Sequence, residues 1–426
     1  MKHYELAVKF YKEKGPRHDK SLWTIRQKRD KAIKEVPEWE SLRVQASEIK
    51  DYVIENLQDL VDEFIKNAKN AGIEVVFAKD AQEHNQTVLK YLKEINAKKV
   101  VKSKSMLTEE CGLNEFLEKN GIEVIDTDLG ERIVQLRGEK PSHIVLPAIH
   151  TTKEDVAEIL GEENTDPTYL THKMRELLRK EFLSADAGLS GANFLVADKG
   201  WAVVCTNEGN ADLGAVLPPL HIISVGVEKL VPNMNDLGVF LRMLARNATG
   251  QKITTYTSIF GKKENGKRVI VLVDNGRFER LNSEFKETLK CIRCSACLTT
   301  CPVFRRSGGH AYRYVIPGPI GSLLAPLSDK EKYKDLPFAC TLCSSCEMVC
   351  PVKIPFSKQL VKMREYVTKE NIALKLAEKS MHHPQAFKLF STILRLTPKP
   401  VLKTALKEWS RYKALPKIPK KRFISL

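Results

Sequence analysis

The chain has 426 residues, enough for two or three domains each with its own core, and its 42% hydrophobic and 29% charged content is that of an ordinary soluble globular protein. Its 69 Lys and Arg against 53 Asp and Glu give a formal net charge of +16, a field that favours acidic partners, anionic membrane surfaces or nucleic acid without choosing among them. Residues 1–20 hold no apolar signal region, and no run approaches the roughly 20 apolar residues that cross a bilayer, so a cytoplasmic protein is expected, with peripheral attachment at the inner face of the cytoplasmic membrane left open.

Residues 1–45 cluster Arg26, Lys28, Arg29, Lys31 and Lys34 and read as a solvated helical arm rather than a nucleic-acid site. From Ile49 the apolar residues Val53, Leu57, Leu60, Phe64 and Ala68 follow in steps of three and four, which predicts an amphipathic helix ended by Gly72. An alternation of strands and helices follows. Strands are expected at Ile73–Ala78, Lys99–Lys102, Ile122–Thr127 and His143–Pro147, and helices at Gln82–Ile95, Thr108–Asn120, Lys153–Leu160 and Thr168–Leu183. Thr108 is placed at an N-cap and Gly121 just past the same helix. Such alternation predicts βαβ units around a parallel sheet. Ala192–Ala197 and Trp201–Thr206 read as a hairpin turning at Asp198-Lys199-Gly200. Strands at His221–Val227 and Arg268–Asp274 flank a helix near Leu237–Arg246, with Gly261–Lys267 as a loop.

Two polar loops in this region invite chemistry. Lys102-Ser103-Lys104-Ser105-Met106-Leu107-Thr108-Glu109-Glu110 follows a strand, and Thr206-Asn207-Glu208-Gly209-Asn210 follows another. Ligands of α/β sheets bind beyond the carboxyl ends of strands, so the loops suit a small-anion or nucleotide pocket. Equally, the glutamates suit a helix cap and the asparagines a turn. Cys111 and Cys205 read as small core hydrophobes, and His143, His150 and His221 as structural histidines. No G-x-G-x-x-G follows the first strand and no G-x4-G-K-[ST] occurs, so no NAD, FAD or ATP site is signalled.

The most informative stretch is C-I-R-C-S-A-C-L-T-T-C-P from Cys291 and C-T-L-C-S-S-C-E-M-V-C-P from Cys340, which hold eight of the ten cysteines. Each copy is spaced C-x2-C-x2-C-x3-C-P, the pattern of paired [4Fe–4S] clusters in which the fourth cysteine of one copy ligates the cluster of the other. Cys291, Cys294, Cys297 and Cys350 are therefore expected to hold one cluster, and Cys340, Cys343, Cys346 and Cys301 the second. Structural zinc takes four ligands at a lone site, and disulfide frameworks belong to short secreted chains; neither fits two fours closed by proline. The interval between Cys301 and Cys340 contains Gly308-Gly309 and Pro317-Gly318-Pro319 and is long for a compact ferredoxin. A helical type is expected, with Pro302 and Pro351 each opening a helix and Ser357–Tyr366 continuing helically. The tail from Ser391 sets ten Lys or Arg against Glu408 alone, with Leu402, Leu406, Trp409 and Tyr412 at near-helical spacing ahead of Pro416 and Pro419. Such a segment can lie on an anionic membrane, dock a partner, or pack on the chain's own cluster domain. The resulting division is a helical arm over 1–70, an α/β domain over 71–281, a helical two-cluster domain over 282–370 and a basic helical tail over 371–426.

These features together resemble the lactate utilisation protein B family, the LutB/LldF-type iron–sulfur proteins. The resemblance is carried by V-V-K-S-K-S-M-L-T-E-E from Val100, P-S-H-I-V-L-P-A-I-H from Pro141, T-N-E-G-N from Thr206, G-P-I-G from Gly318, K-D-L-P-F-A-C-T-L-C from Lys334 and the cysteine motifs. It implies an α/β LUD domain, similar in fold to the sugar-isomerase and CoA-transferase group, followed by an all-α helical ferredoxin domain. It also implies electron transfer in the oxidation of L-lactate to pyruvate through two [4Fe–4S] clusters, beside a cysteine-rich LutA-like subunit and a LutC-like LUD protein. An anionic membrane surface or a quinone-linked acceptor joins the expected partners; nucleic acid does not. No catalytic residue follows from the resemblance. The alternative expectation is a LUD-domain enzyme acting on a small carboxylic acid or acyl substrate, with Glu109, Glu110 or Glu208 as nucleophile or base and the clusters serving a linked redox step.

Overall fold

The structure, a computed structural model, describes residues 2–368, 378–379 and 381–405, and falls into two units, Met1–Val367 and Thr368–Leu426. In the first, six strands form a parallel sheet: β1 (Glu74–Ala78), β2 (Lys99–Lys102), β3 (Glu123–Asp126), β4 (Ala187–Ser190), β7 (Leu220–Gly226) and β10 (Lys267–Val273), in the order β1-β10-β7-β4-β2-β3. Side chains alternate across it. Val100 and Val124 join a core with Val88 and Leu117, while their neighbours Val101 and Ile125 pack on Met174, Leu178 and Phe182 of the helix Pro167–Ser184. With both faces covered, β7 is buried at every residue, and its two polar side chains are satisfied inside, His221 by Ser190 and Ser224 by His84.

A second sheet has the order β8-β5-β6-β9, from β5 (Phe194–Val196), β6 (Trp201–Thr206), β8 (Leu230–Val231) and β9 (Tyr256–Phe260). The expected hairpin is present: β5 and β6 are antiparallel, and Gly200 in their turn has φ +66°. A Cβ there would lie 2.1 Å from the backbone nitrogen of Ala68, so the turn is pressed onto the helix Leu57–Asn70 and only glycine fits. This small sheet joins the two halves of the unit. Leu195, Ala202 and Val204 face the core of the α/β domain, whereas Phe194, Val196 and Val203 face a core shared with Leu298, Phe304 and Leu323 of the cysteine-rich region.

Several expectations are corrected. Residues 1–45 are not a solvated arm. The helices His3–Glu13 and Gly15–Lys34 pack on the cysteine-rich region, with Leu22 fully buried and Arg29 bonded through Nε to Asn247 Oδ1 at 2.8 Å and through Nη2 to the Val349 carbonyl at 3.2 Å. The basic residues conceal a stripe of buried positions, Leu22, Arg29 and Ala32. The single helix expected from Ile49 is two, Trp39–Glu55 and Leu57–Asn70, interrupted at Asn56. His143–Pro147 forms no strand: Ser142 N donates to the Pro147 carbonyl at 3.0 Å, and His143 Nδ1 accepts from the backbone of Val145 and Leu146. Its apolar Ile144 serves instead to pack on the cysteine-rich core. The expected helix Thr108–Asn120 is broken by Gly112 in the left-handed region into Met106–Glu110 and Leu113–Lys119, and its cap is Ser105, whose side chain accepts from Thr108 N. The strands β4 and β9 and the helix Leu129–Leu136 have no counterpart in the sequence reading.

In the cysteine-rich region Pro302 opens a helix, Pro302–Ser307, as expected. Pro351 does not; it enters a turn, and the next helix is Phe356–Val367. In the second unit the helix Pro384–Leu396 exposes Phe387, Leu389, Ile393 and Leu396, followed by Lys399–Ala405. The 370/371 boundary and the tail positions Leu406, Trp409, Tyr412, Pro416 and Pro419 lie outside the described residues. Among the described residues no helix is long and apolar enough to cross a membrane.

Candidate metal centre and adjoining cavity

The cysteines of the two motifs form two groups of four. Cys291, Cys294, Cys297 and Cys350 line one narrow void, and Cys301, Cys340, Cys343 and Cys346 line another. None of the ten cysteines is bridged. The loops curl inward by the same device in both copies: Arg293 and Ser295 in the first, Leu342 and Ser344 in the second, have φ between +56° and +65°. Non-glycine residues in that region cost about 1–3 kcal/mol each, and the repetition shows that the wrap is built in. Backbone and side-chain donors address the sulfurs, Leu342 N to Cys340 Sγ at 3.2 Å, Ile354 N to Cys350 Sγ at 3.4 Å and Asn247 Nδ2 to Cys294 Sγ at 3.4 Å, the hydrogen bonding that tunes an iron–sulfur centre. Among the described residues no three His, Cys, Asp or Glu side chains meet closely enough to chelate a single ion. Thiols set around a void suit a cubane, in which each iron takes one thiolate, better than a lone tetrahedral metal. The two groups differ in depth: Cys294, Cys297 and Cys350 are buried, whereas Cys343 is exposed.

Beside the first void lies a cavity of about 330 Å³, and Ile292, Arg293 and Cys294 form a wall of both. Its opposite side is built by the segments following β2, β4, β6 and β7. The chain leaves β2 towards β3 on one side and β4 towards β7 on the other, so the crevice opens where the strand connections diverge, as in other α/β sheets. Both polar loops singled out in the sequence reach it, contributing Ser103–Leu107, Glu110, Thr206–Glu208 and Asn210.

Two groups of charged side chains line the cavity. The Arg277 guanidinium takes Glu110 in a two-pronged pair, Nη1–Oε1 and Nη2–Oε2 both at 3.1 Å, and Glu228 Oε2 through Nε at 2.5 Å. Burial alone would raise both glutamates, but Arg277 outweighs it and holds each below the usual carboxylate range. Gly226 makes room for this pair, since a Cβ there would lie 2.1 Å from Glu228 Oε2. Lys104 Nζ is held by Asp128 Oδ2 at 2.9 Å and the Val145 carbonyl at 3.1 Å. Burial and then Asp128 push Glu208 up, while it accepts from Leu129 N at 3.0 Å. Glu109 lies apart, in a buried group with Lys102, Asp126 and Glu131. Of the three glutamates considered as nucleophile or base, Glu110 is therefore neutralised by Arg277, Glu109 does not line the cavity, and Glu208 alone faces it with a raised pKa.

Arg277, Glu228, Lys229, Arg293 and Asn247 had no place in the sequence reading. Glu228 and Lys229 follow β7, and the carboxyl-end rule applied to the first two loops would have found them. Cys111 is buried in the α/β core, as expected, and Cys205, half-buried, packs against the cysteine-rich core while lining the cavity. His221 and His150 are satisfied by Ser190 and by Ser142 and Glu139.

A parallel α/β domain sharing a cavity wall with a double four-cysteine fold defines a LUD-domain iron–sulfur protein. The model of the LUD domain matches residues 61–279 and that of the 4Fe-4S dicluster domain residues 287–354. Similar proteins include lactate utilization protein B of Oceanobacillus iheyensis, 41% identical over 398 residues covering 88% of this chain and 82% of that one, and of Bacillus velezensis, 38% identical over 429 residues covering 94% and 90%. The uncharacterized electron transport protein YkgF of Escherichia coli is 41% identical over 366 residues, covering 83% and 77%. The chain belongs to the lactate utilization protein B family.

Proposed function

We propose that this chain transfers electrons in the oxidation of L-lactate to pyruvate, holding two [4Fe–4S] clusters within an assembly that includes a cysteine-rich LutA-like subunit and a LutC-like LUD protein. The observation that carries this reading is the pair of four-thiol voids, one deep beside the cavity and one opening at exposed Cys343. Cys291, Cys294, Cys297 and Cys350 would hold the first cluster and Cys301, Cys340, Cys343 and Cys346 the second, and such clusters when bound supply one-electron redox chemistry over roughly −700 to +450 mV. The protein's own contribution is position and insulation. Ile320, Val352, Ile354 and Phe356 exclude water around the first group, and exposed Cys343 with its exposed neighbours Phe338 and Met348 leaves the second within reach of a partner. A net charge of +16 and the basic residues of the tail support a quinone-linked acceptor at an anionic membrane surface, with the body of the protein in the reducing cytoplasm.

The test is anaerobic mixing of the three proteins with L-lactate while the visible iron–sulfur absorbance is followed. Lactate is expected to bleach the wild-type signal, and Cys291→Ser or Cys340→Ser in this chain to stop transfer. A signal that lactate leaves untouched in the complete mixture would remove the lactate assignment.

A further inference from the structure

The charges lining the cavity are unequally satisfied. Lys104 is matched by Asp128, and Arg277 by Glu110 and Glu228. Two cations remain. The half-buried Lys229 ammonium makes no hydrogen bond or salt bridge among the described residues. Arg293 Nη1 is buried without a hydrogen-bond partner, and its Nη2 makes only a long ion pair, 4.0 Å to Glu228 Oε1, on a carboxylate whose Oε2 is held by Arg277. Both line the cavity. Two half-buried cations facing one cavity with donors to spare form a receptor for an anion with two oxygens. The backbone beneath is fixed: Lys50, itself buried, donates through Nζ to the carbonyls of Glu228 at 2.6 Å and Leu230 at 3.4 Å, on either side of Lys229. The remaining wall includes Val204, Leu244, Ala248 and Ile316, which suits a small organic acid better than a bare inorganic anion, and a volume of about 330 Å³ is that of a small-molecule site.

We infer that this cavity binds a small 2-hydroxy or 2-oxo carboxylate, its carboxylate taken by Lys229 and Arg293 and its remainder lying toward the wall that carries Cys294. The choice of acid rests on the lactate reading above, and the inference goes beyond it by placing the acid on this chain rather than on a companion. No bond change is assigned to the site.

The test is anaerobic calorimetric titration of the full-length, cluster-loaded protein with L-lactate and pyruvate, with lactamide as the uncharged analogue and inorganic phosphate as the simple anion. One of the two acids is expected to bind, lactamide to bind at least about tenfold more weakly, and phosphate to compete poorly. Lys229→Met should lose at least about tenfold in affinity with unchanged iron content, and Lys229→Arg should retain binding. The electron paramagnetic resonance of the reduced protein should change when the acid is added. Absence of binding by either acid, equal binding of lactamide, equal competition by phosphate, or an unaltered affinity in Lys229→Met would each overturn the inference. If Lys229→Met does not fold, the lactamide and Lys229→Arg arms decide. Lactate-dependent reduction in the three-protein mixture without binding to this chain alone refutes this site and leaves the electron-transfer role intact; binding without such reduction does the reverse.

Discussion

Cys350→Ser is expected to lower the iron content from about eight atoms per chain to about four or fewer, and to disturb the centre whose other ligands lie in the opposite motif. Cys350 belongs by sequence to the second copy, but it lines the void with Cys291, Cys294 and Cys297. Its surroundings admit no easy substitute. The residue is buried, its carbonyl accepts from Arg43 Nε at 3.0 Å, and the Val349 carbonyl beside it accepts from both Arg29 and Asn247. The ligand is thus clamped by the N-terminal helices and by the helix Met234–Thr249. Because neither motif completes its own group, loss of one crossed cysteine removes a constraint that ties the two copies together, and metal binding of this kind is also folding energy. Thermal stability should fall with the iron. Cys111→Ser, far from both voids in the α/β core, should leave the iron unchanged. Full iron content in Cys350→Ser would exclude the crossed arrangement.

Arg277→Met is expected to destabilise the protein by about 3–5 kcal/mol at pH 7, because it strips Glu110 and Glu228 of their closest, hydrogen-bonded counter-charge while both stay buried. Arg277 has only 3% of its side chain exposed, and the two carboxylates 12% and 5%, so solvent cannot substitute for it. The pH dependence has a definite sign. In the wild type both carboxyls have pKa values below their unfolded values, so their contribution is complete above the unfolded pKa of about 4.3 and is lost as pH falls through the lowered folded values. In the variant, burial is opposed only by the weaker pull of Arg293, with Asn275 at Glu110 and Lys229 at Glu228, so both carboxyls shift upward from their wild-type values and protonation relieves part of the buried charge. The difference between the two proteins is therefore largest near neutral pH and narrows as pH falls towards about 4. Urea unfolding at a series of pH values measures it; a variant within about 1 kcal/mol of wild type at pH 7 would show that the pair contributes little.

How much of this was legible in advance depends on how local the cause is. The cysteine spacing is a property of a few consecutive residues, so the grouping of the eight thiols about two voids is legible in the chain alone. The strands β7 and β10 are legible because burial on both faces concentrates β-branched and apolar residues, Ile222-Ile223 with Val225 in one and Val269–Val273 in the other. Strand β4, Ala-Gly-Leu-Ser, was not: a Cβ at Gly188 would lie 1.8 Å from the Gly214 carbonyl, so close backbone packing selected a residue with no strand preference. The N-terminal helices were misjudged for a related reason. Their charges are conspicuous and their buried stripe is sparse, and what that stripe meets, the cysteine-rich core, lies more than two hundred residues away. The cavity lay still further from sequence reasoning. Its two polar loops stand out in the sequence, but Lys229 and Arg293 come from just after β7 and from between two cysteines, positions that only the fold brings together.

The central claim is that this chain carries two [4Fe–4S] clusters on crossed sets of cysteines. Iron and acid-labile sulfide analysis of the anaerobically purified full-length protein, joined with electron paramagnetic resonance after reduction, tests it most directly. The expected result is about eight irons and about eight sulfides per chain, with the spectrum of two neighbouring reduced clusters. About four irons per chain, or zinc in place of iron, would contradict it.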